Sequence, residues 1–208
     1  MPKYSILIPT HNRPELFQRC IASVQRGMLG ADYEIIVNND SRDIEEVERY
    51  NIKYYYMRND NLGMIYKFLF DRANGEYVYY MEDDDIMDPN FYERIKLFNE
   101  DIMFGNYVPF EWNKSFIEYM RSRPQSSKED FLETFDPHHF QLCQIMFRKS
   151  ALADADFPTD NNLQNDFLLF ERLQGSFRVV NNFFYKQTID GGDNISFSYL
   201  NKDPRWTS

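Results

Sequence analysis

Apolar residues in the first hundred positions form short runs that alternate with longer amphipathic stretches. Four of these runs have the length and composition of buried β-strands: 4–8, 33–37, 52–57 and 77–81. Between them, Pro14 opens a stretch whose apolar positions fall on one helical face, and residues 64–73 repeat the pattern. This alternation with short connections predicts an α/β fold, with a mainly parallel central sheet and helices on both faces.

The pattern is less regular in the second half, and the chain from 108 to 140 is expected to be irregular. We predict one domain with two halves, 1–105 and 106–208. Its remaining elements are expected to be a short acidic helix at 43–50, helices at 88–99 and 165–173, strands at 101–107, 141–147 and 179–185, a short helix from 148 and a polar tail from 190.

The strand at 77–81 ends directly in an acidic run, Glu82 to Asp85. Adjacent carboxylates repel one another, so the fold gains nothing from them unless a positive group binds. Mg²⁺ and Mn²⁺ prefer carboxylate oxygen and commonly keep open positions for phosphate. The alternative is a solvated acidic loop, which is the usual role of an acidic run. Its position behind a buried strand favours a metal site.

Two further polar stretches, 9–13 and 38–41, follow strands in the same way as the acidic run. The carboxyl ends of parallel strands share one edge of a sheet, where ligands of open α/β folds bind. We therefore expect the three stretches to converge in space, although they are far apart in the sequence.

Composition narrows the function classes. The chain has 208 residues, 17% aromatic residues and a formal net charge of -10, which excludes a disordered chain and disfavours binding nucleic acid or anionic membrane by charge alone. Its two cysteines imply no disulfide framework, and Cys20 is predicted to be a small buried hydrophobe on a helix. With no signal peptide or apolar run of about 20 residues, a soluble, cytoplasmic protein is expected.

The ordered set of motifs resembles a known family. Pro-Thr-His-Asn-Arg at 9–13, Asn-Asn-Asp-Ser at 38–41, Asn-Leu-Gly at 61–63, the acidic run and Asn-Asp at 165–166 occur in sequence. This order is similar to that of the GT-A fold glycosyltransferases of family two, which are inverting enzymes that use nucleotide sugars. The resemblance covers nearly the whole chain and implies a Rossmann-like GT-A fold with a smaller acceptor-side lobe.

The resemblance also implies residue roles. Asp84 and Asp85 would bind Mn²⁺ or Mg²⁺, and Asp166 would be the general base, unless it is only an acid favoured by the helix dipole. Ten further residues would bind the nucleotide sugar: Pro9, Thr10, His11, Asn12, Arg13, Asn39, Asn61, Lys67, Glu82 and Asp83.

Several of these residues have open alternatives. His11 would stack on the base or be an ordinary loop histidine, and Lys67 would reach a phosphate or be a solvated helix lysine. Asn39 would meet the Watson–Crick edge of the base, which predicts a pyrimidine and most simply UDP. The family usually has two aspartates at 38–39, and Glu82 stands where the family has an aspartate.

The resulting hypothesis is a metal-dependent inverting glycosyltransferase with a nucleoside-diphosphate sugar donor. Its acceptor is open: a saccharide, a lipid-linked sugar, a protein or a modified nucleobase. One alternative is a nucleotidyltransferase acting on sugar phosphates, although the loop at 9–13 lacks that class's glycines. Another is a nucleotide-sugar-binding module without turnover, against which the pair of Asp84 and Asp166 counts.

Overall fold

The computed structural model describes residues 2–41, 52–59, 61–108, 127–134, 140–159 and 165–188. The strands are β1 (Tyr4–Thr10), β2 (Tyr33–Asn39), β3 (Ile52–Tyr56), β4 (Tyr77–Tyr80), β5 (Ile86–Met87), β6 (Ile102–Val108), β7 (Ile145–Arg148) and β8 (Phe177–Lys186). The α-helices are α1 (Pro14–Gly27), α2 (Leu62–Arg72), α3 (Phe91–Ile95), α4 (Lys128–Thr134) and α5 (Asn165–Arg172). Short 3₁₀ helices occupy Leu142–Gln144, Lys149–Ala151 and Asp154–Asp156.

All the described strands join one sheet in the order β3-β2-β1-β4-β7-β6-β8-β5. The pairs β3–β2, β2–β1, β1–β4 and β6–β8 are parallel, whereas β7 and β5 run against their neighbours. The predicted mainly parallel sheet is therefore confirmed. Its four neighbouring parallel strands place their carboxyl ends along one edge.

Side chains of β1 alternate between two apolar cores on opposite faces of the sheet. Ile6 and Ile8 pack with α1 and α3, whereas Leu7 packs with α2, α4 and α5. Successive residues of a strand point to opposite faces, so a strand that is apolar throughout is buried on both sides. The predicted helices on both faces are confirmed.

Strand β4, which leads to the acidic run, is held on both faces by its tyrosines. Its four residues are all buried. The Tyr79 hydroxyl donates to the Cys143 carbonyl at 2.6 Å, and the Tyr80 hydroxyl donates to the Tyr66 carbonyl at 2.8 Å. Because buried polar groups with partners restrict a core to one arrangement, β4 gives the acidic run a fixed starting point.

At the amino ends of the parallel strands, one buried carboxylate links three segments of the chain by hydrogen bonds. Glu34 accepts from the Ser5 hydroxyl at 2.7 Å, the Lys53 ammonium at 2.5 Å and the Asn74 backbone N–H at 2.7 Å. Burial opposes ionisation of Glu34, but these donors lower the pKa of its carboxyl below the ordinary value. A Cβ at Gly75 would lie 2.6 Å from the Ser5 nitrogen, so glycine is required where β4 approaches β1.

Three predicted elements differ in the structure. The helix predicted at 88–99 is shortened to α3, and at its predicted start the Asp88 N–H bonds to the Phe184 carbonyl of β8 at 2.8 Å. The strand predicted at 141–147 starts as a 3₁₀ turn, in which Gln141 and Gln144 form a capping box. Helix α4 lies within the stretch that was predicted to be irregular. The predicted helix at 43–50 and the polar tail from 190 lie outside the described residues.

Candidate active site

The acidic run turns back at the carboxyl end of β4. The Met81 N–H still bonds to the Leu7 carbonyl at 2.9 Å, and the Asp85 N–H then bonds to the Glu82 carbonyl at 3.2 Å. One carboxylate oxygen from each of Glu82, Asp84 and Asp85 lies within 4.8 Å of the others. We call these three residues the carboxylate triad. Clustered carboxylate oxygens are the donors that Mg²⁺ and Mn²⁺ prefer, so the triad fits such an ion.

The carboxylates of the triad repel one another, and the neighbouring arginines offset only part of this repulsion. Burial raises the pKa of Glu82 and of Asp85 well above the ordinary carboxyl range. The charges of neighbouring carboxylates raise both pKa values further, as expected for like charges in a partly dry site. A bound cation would remove this repulsion, which is why the charge pattern suits a metal.

Asp83 points away from the triad and towards the end of β1. Its carboxylate accepts from the Thr10 hydroxyl at 2.7 Å and lies 3.2 Å from the Arg13 guanidinium. Burial raises the pKa of Asp83 to about 6, although the bonds from Thr10 and Arg13 act in the opposite direction. The acidic run thus splits into one residue held by β1 and three that face each other.

Two arginines reach the acidic run from other parts of the sequence. The Arg13 Nη1 lies 3.2 Å from Asp83 Oδ1 and 3.1 Å from Asp84 Oδ2. The Arg19 Nη2, from α1, donates to the Asp84 carbonyl at 2.7 Å. The sequence neighbourhood of the acids contains no such partner. Arg19 was not predicted, although its position on a helix that starts at the carboxyl edge was a usable signal.

Thr188 follows the end of β8 and bonds to Asp84 and Asp85. Its N–H donates to Asp85 Oδ1 at 2.9 Å, its hydroxyl donates to the Asp84 carbonyl, and it accepts from Arg19 Nη2 at 2.8 Å. Thr188 fixes the backbone and one side chain of the acidic run. No local pattern marks it, because it lies far along the chain from the acids that it contacts.

Asp166 lies in the first turn of α5. The Leu142 backbone N–H donates to its carboxylate, and burial raises the pKa of Asp166 to about 7. Its charge also contributes to the raised pKa of Glu82 and of Tyr66, so these groups share one electrostatic environment. The fold therefore brings Asp166 close enough to Glu82 for their charges to interact.

The loops at 9–13 and 38–41 are hydrogen-bonded to each other, and Thr10 bonds to Asp83 of the acidic run. The three polar stretches therefore meet in space, as the sequence predicts. The His11 Nδ1 pairs with the Asp40 carboxylate, and the side chain of His11 is 69% exposed. Asn12 has a φ of 47° and its N–H donates to the Ser41 hydroxyl at 3.0 Å. Pro9 pairs with Asn38 within the sheet. An exposed imidazole at this edge leaves a ring face open for stacking.

Asn39, which is predicted to meet the donor base, is hydrogen-bonded within the protein. Its side chain is buried, because its Oδ1 accepts from the Ser41 N–H at 2.9 Å and the Ser41 hydroxyl at 2.8 Å, and its Nδ2 donates to the Tyr54 hydroxyl. Asparagine commonly bonds to the backbone two residues ahead in such a turn. The carboxamide is therefore occupied within the protein instead of presenting a free edge to a base.

Asn61 and Lys67 also have partners other than the predicted ligand. Asn61 caps α2 by accepting from the Met64 N–H at 3.2 Å, and it donates to the Thr159 carbonyl at 2.7 Å. The Lys67 ammonium lies 2.6 Å from both Asp71 and Asp154. Lys67 thus follows the alternative of a surface lysine, and we leave it and Asn61 out of the proposed site.

Fold and site together define an α/β protein with a cluster of carboxylates at the carboxyl ends of its parallel strands. Residues 5–155 match the family described as glycosyl transferase family 2, and the chain belongs to that family. The sheet and its flanking helices are those of the GT-A fold.

Curated relatives are similar over much of this chain. It is 29% identical over 181 residues to the GalNAc(5)-diNAcBac-PP-undecaprenol beta-1,3-glucosyltransferase of Campylobacter jejuni, which covers 76% of this chain and 55% of the relative. It is 24% identical to chondroitin synthase of Pasteurella multocida, over 96% of this chain and 22% of the relative. The chain thus spans about half or less of the length of these relatives.

Solved structures share the fold. S. aureus TarS 1-349 in complex with UDP-GlcNAc superimposes with a TM-score of 0.71 at 15% identity, covering 93% of this chain and 60% of TarS 1-349. The same protein in complex with UDP gives a TM-score of 0.68 at 15% identity, covering 90% of this chain and 60% of TarS 1-349.

Within the described part of this chain, no helix is both long and apolar enough to cross a membrane.

Proposed function

We propose that this chain is a divalent-metal-dependent glycosyltransferase that transfers a sugar from a UDP-sugar to an acceptor hydroxyl with inversion. The observation that carries the proposal is the carboxylate triad at the carboxyl ends of the parallel strands, with Asp166 close enough to Glu82 for their charges to interact. Membership of glycosyl transferase family 2 supports the class of reaction. The fold shared with TarS, whose structures include complexes with UDP and UDP-GlcNAc, supports a UDP-sugar donor.

The triad residues Glu82, Asp84 and Asp85 would hold Mn²⁺ or Mg²⁺, which when bound neutralises charge on the leaving diphosphate. Asp83, held by Thr10 and Arg13, is buried next to the triad, where an acceptor-only carboxylate suits a ribose hydroxyl. The His11 side chain, which is exposed, would stack on the base. These roles orient the donor along the carboxyl edge, with its diphosphate at the triad.

Asp166 would take the proton from the acceptor hydroxyl. As that oxygen bonds to the anomeric carbon, the bond from this carbon to the diphosphate oxygen breaks, and the electron pair leaves with UDP. A base at one side of the sugar and a leaving group at the other produce inversion. A pKa of about 7 suits the task, because a general base works best when its pKa is near the operating pH.

A binding module without turnover has no need for Asp166 in its present environment. Burial of an ionisable carboxyl with one N–H donor costs stability, and a pure binding protein gains nothing from it. In a transferase, the raised pKa that results from burial makes Asp166 a suitable general base.

The test is a titration of UDP, CDP, dTDP, GDP and ADP with and without Mn²⁺, followed by UDP-sugar hydrolysis. We expect UDP to bind most tightly, only with the metal, and the UDP-sugar to be hydrolysed slowly. The matched control is Asp71→Asn, which removes an acid on α2 that pairs with Lys67. Tightest binding of GDP or ADP, or binding of UDP without any metal dependence, would contradict the proposal.

A further inference from the structure

We propose that Arg13 is an exchangeable counter-ion, which neutralises the acidic run without metal and moves to the donor diphosphate when the cation binds. This inference rests on the proposed function, because it assumes that the triad binds a cation and a nucleoside diphosphate. It adds a prediction that the proposed function does not make: Arg13 opposes binding of the metal alone and favours binding of the metal with UDP.

The contacts of Arg13 place its charge on a proposed metal ligand. Its side chain is largely buried, and its Nη1 is shared between Asp83 Oδ1 at 3.2 Å and Asp84 Oδ2 at 3.1 Å. Asp84 also belongs to the carboxylate triad. A guanidinium in this position supplies the positive charge that the buried acids need for folding.

A divalent cation and the guanidinium compete for the same carboxylate. If Asp84 binds the metal, its negative charge is shared, and the nearby guanidinium is repelled by the cation. Binding of metal alone must therefore displace or weaken the contact of Arg13 with Asp84. Removing the guanidinium should tighten the binding of metal in the absence of nucleotide.

The effect on UDP has the opposite sign. Arg13 immediately precedes α1 at the carboxyl edge, so a guanidinium released from Asp84 stays next to any diphosphate bound to the metal. Guanidinium groups match phosphate geometry with paired N–H donors, which makes the diphosphate a better partner than two carboxylates that share one guanidinium nitrogen. Loss of Arg13 should then weaken UDP binding.

Arg19 provides the matched control, because its role differs although its charge is the same. It donates to the Asp84 carbonyl and to the Thr188 hydroxyl, so it positions the backbone of the acidic run. Loss of this support should weaken both the metal and UDP. A purely structural role for Arg13 would produce the same pattern.

The experiment measures Mn²⁺ binding to the metal-free protein by electron paramagnetic resonance, and UDP binding at saturating Mn²⁺ by calorimetry. For Arg13→Gln we expect Mn²⁺ affinity to rise about threefold or more, and UDP affinity to fall about tenfold. Arg13→Lys should shift both in the same directions by smaller factors, and it serves if the Gln variant does not fold. Arg19→Gln should lower both affinities.

Weaker or unchanged Mn²⁺ binding by the Arg13 variants would overturn the exchange, as would unchanged UDP binding. Failure of the proposed function is distinguishable, because the wild-type protein would then show no Mn²⁺-dependent binding of UDP. If the wild-type protein binds both and only the opposite signs are missing, the inference on Arg13 fails alone.

Discussion

Replacing Asp166 by asparagine should nearly abolish transfer while making the fold more stable at alkaline pH. Asparagine has the same shape and can still accept from the Leu142 N–H, but it cannot take a proton. Loss of a general base typically lowers turnover by roughly 10²–10⁴. Binding of UDP with Mn²⁺ should change little, because the base acts on the acceptor side.

The gain in stability follows from the pKa. Burial raises the pKa of Asp166 from 3.8 to about 7, so the folded state retains a proton that the unfolded chain releases. Wild-type stability therefore falls as pH rises through this window and is lowest, for this group, above pH 7. The difference between a pKa of 3.8 and one of about 7 corresponds to at most ~4 kcal/mol, and solvent around a partly exposed carboxyl reduces this to about 1–3 kcal/mol.

The assay compares urea unfolding of the wild type and Asp166→Asn at pH 5 and pH 8 without metal, and transfer rates with UDP-sugar. The stabilisation by asparagine should be larger at pH 8 by about 1–2 kcal/mol, and wild-type turnover should fall about tenfold per unit below pH 7. Near-normal transfer by the variant would remove Asp166 from the mechanism. Equal stabilisation at both pH values would refute the raised pKa of Asp166.

Three further changes test other parts of the site and fold. Asp84→Asn should abolish Mn²⁺-dependent binding of UDP without lowering the urea midpoint, and normal Mn²⁺ binding by calorimetry would exclude Asp84 as a ligand. Asn39→Asp should leave the ratio of UDP to CDP affinity unchanged, because the side chain at this position is bonded to Ser41 and Tyr54. A stronger preference of the variant for UDP would show that residue 39 contacts the base, as the sequence predicts. Ser5→Ala should lower the free energy of unfolding by about 1–3 kcal/mol without affecting UDP binding, because it removes a donor to a buried carboxylate; a loss below about 0.5 kcal/mol would show that water replaces the hydroxyl.

The sequence by itself determined the first four strands, α1, α2 and the edge at which the site lies. Strand β1 and helix α1 have strong local periodicity, and short connections leave few topologies. Cys20 is predicted to be a buried hydrophobe, and it lies buried on the core face of α1. The convergence of the polar loops followed from parallel strands alone, without any knowledge of side-chain contacts.

Only the tertiary structure decided which groups meet the acidic run. Arg13 and Thr188 lie far from the acids in sequence, and no local pattern specifies a contact between a loop, a turn and the end of β8. Asn39 shows that a local contact can also be missed from the sequence. Its carboxamide, which the family resemblance implies to meet the donor base, accepts a hydrogen bond from Ser41 two residues ahead. Local periodicity fixes which face of an element is buried, whereas partners across the fold depend on the register and crossing of every element between them.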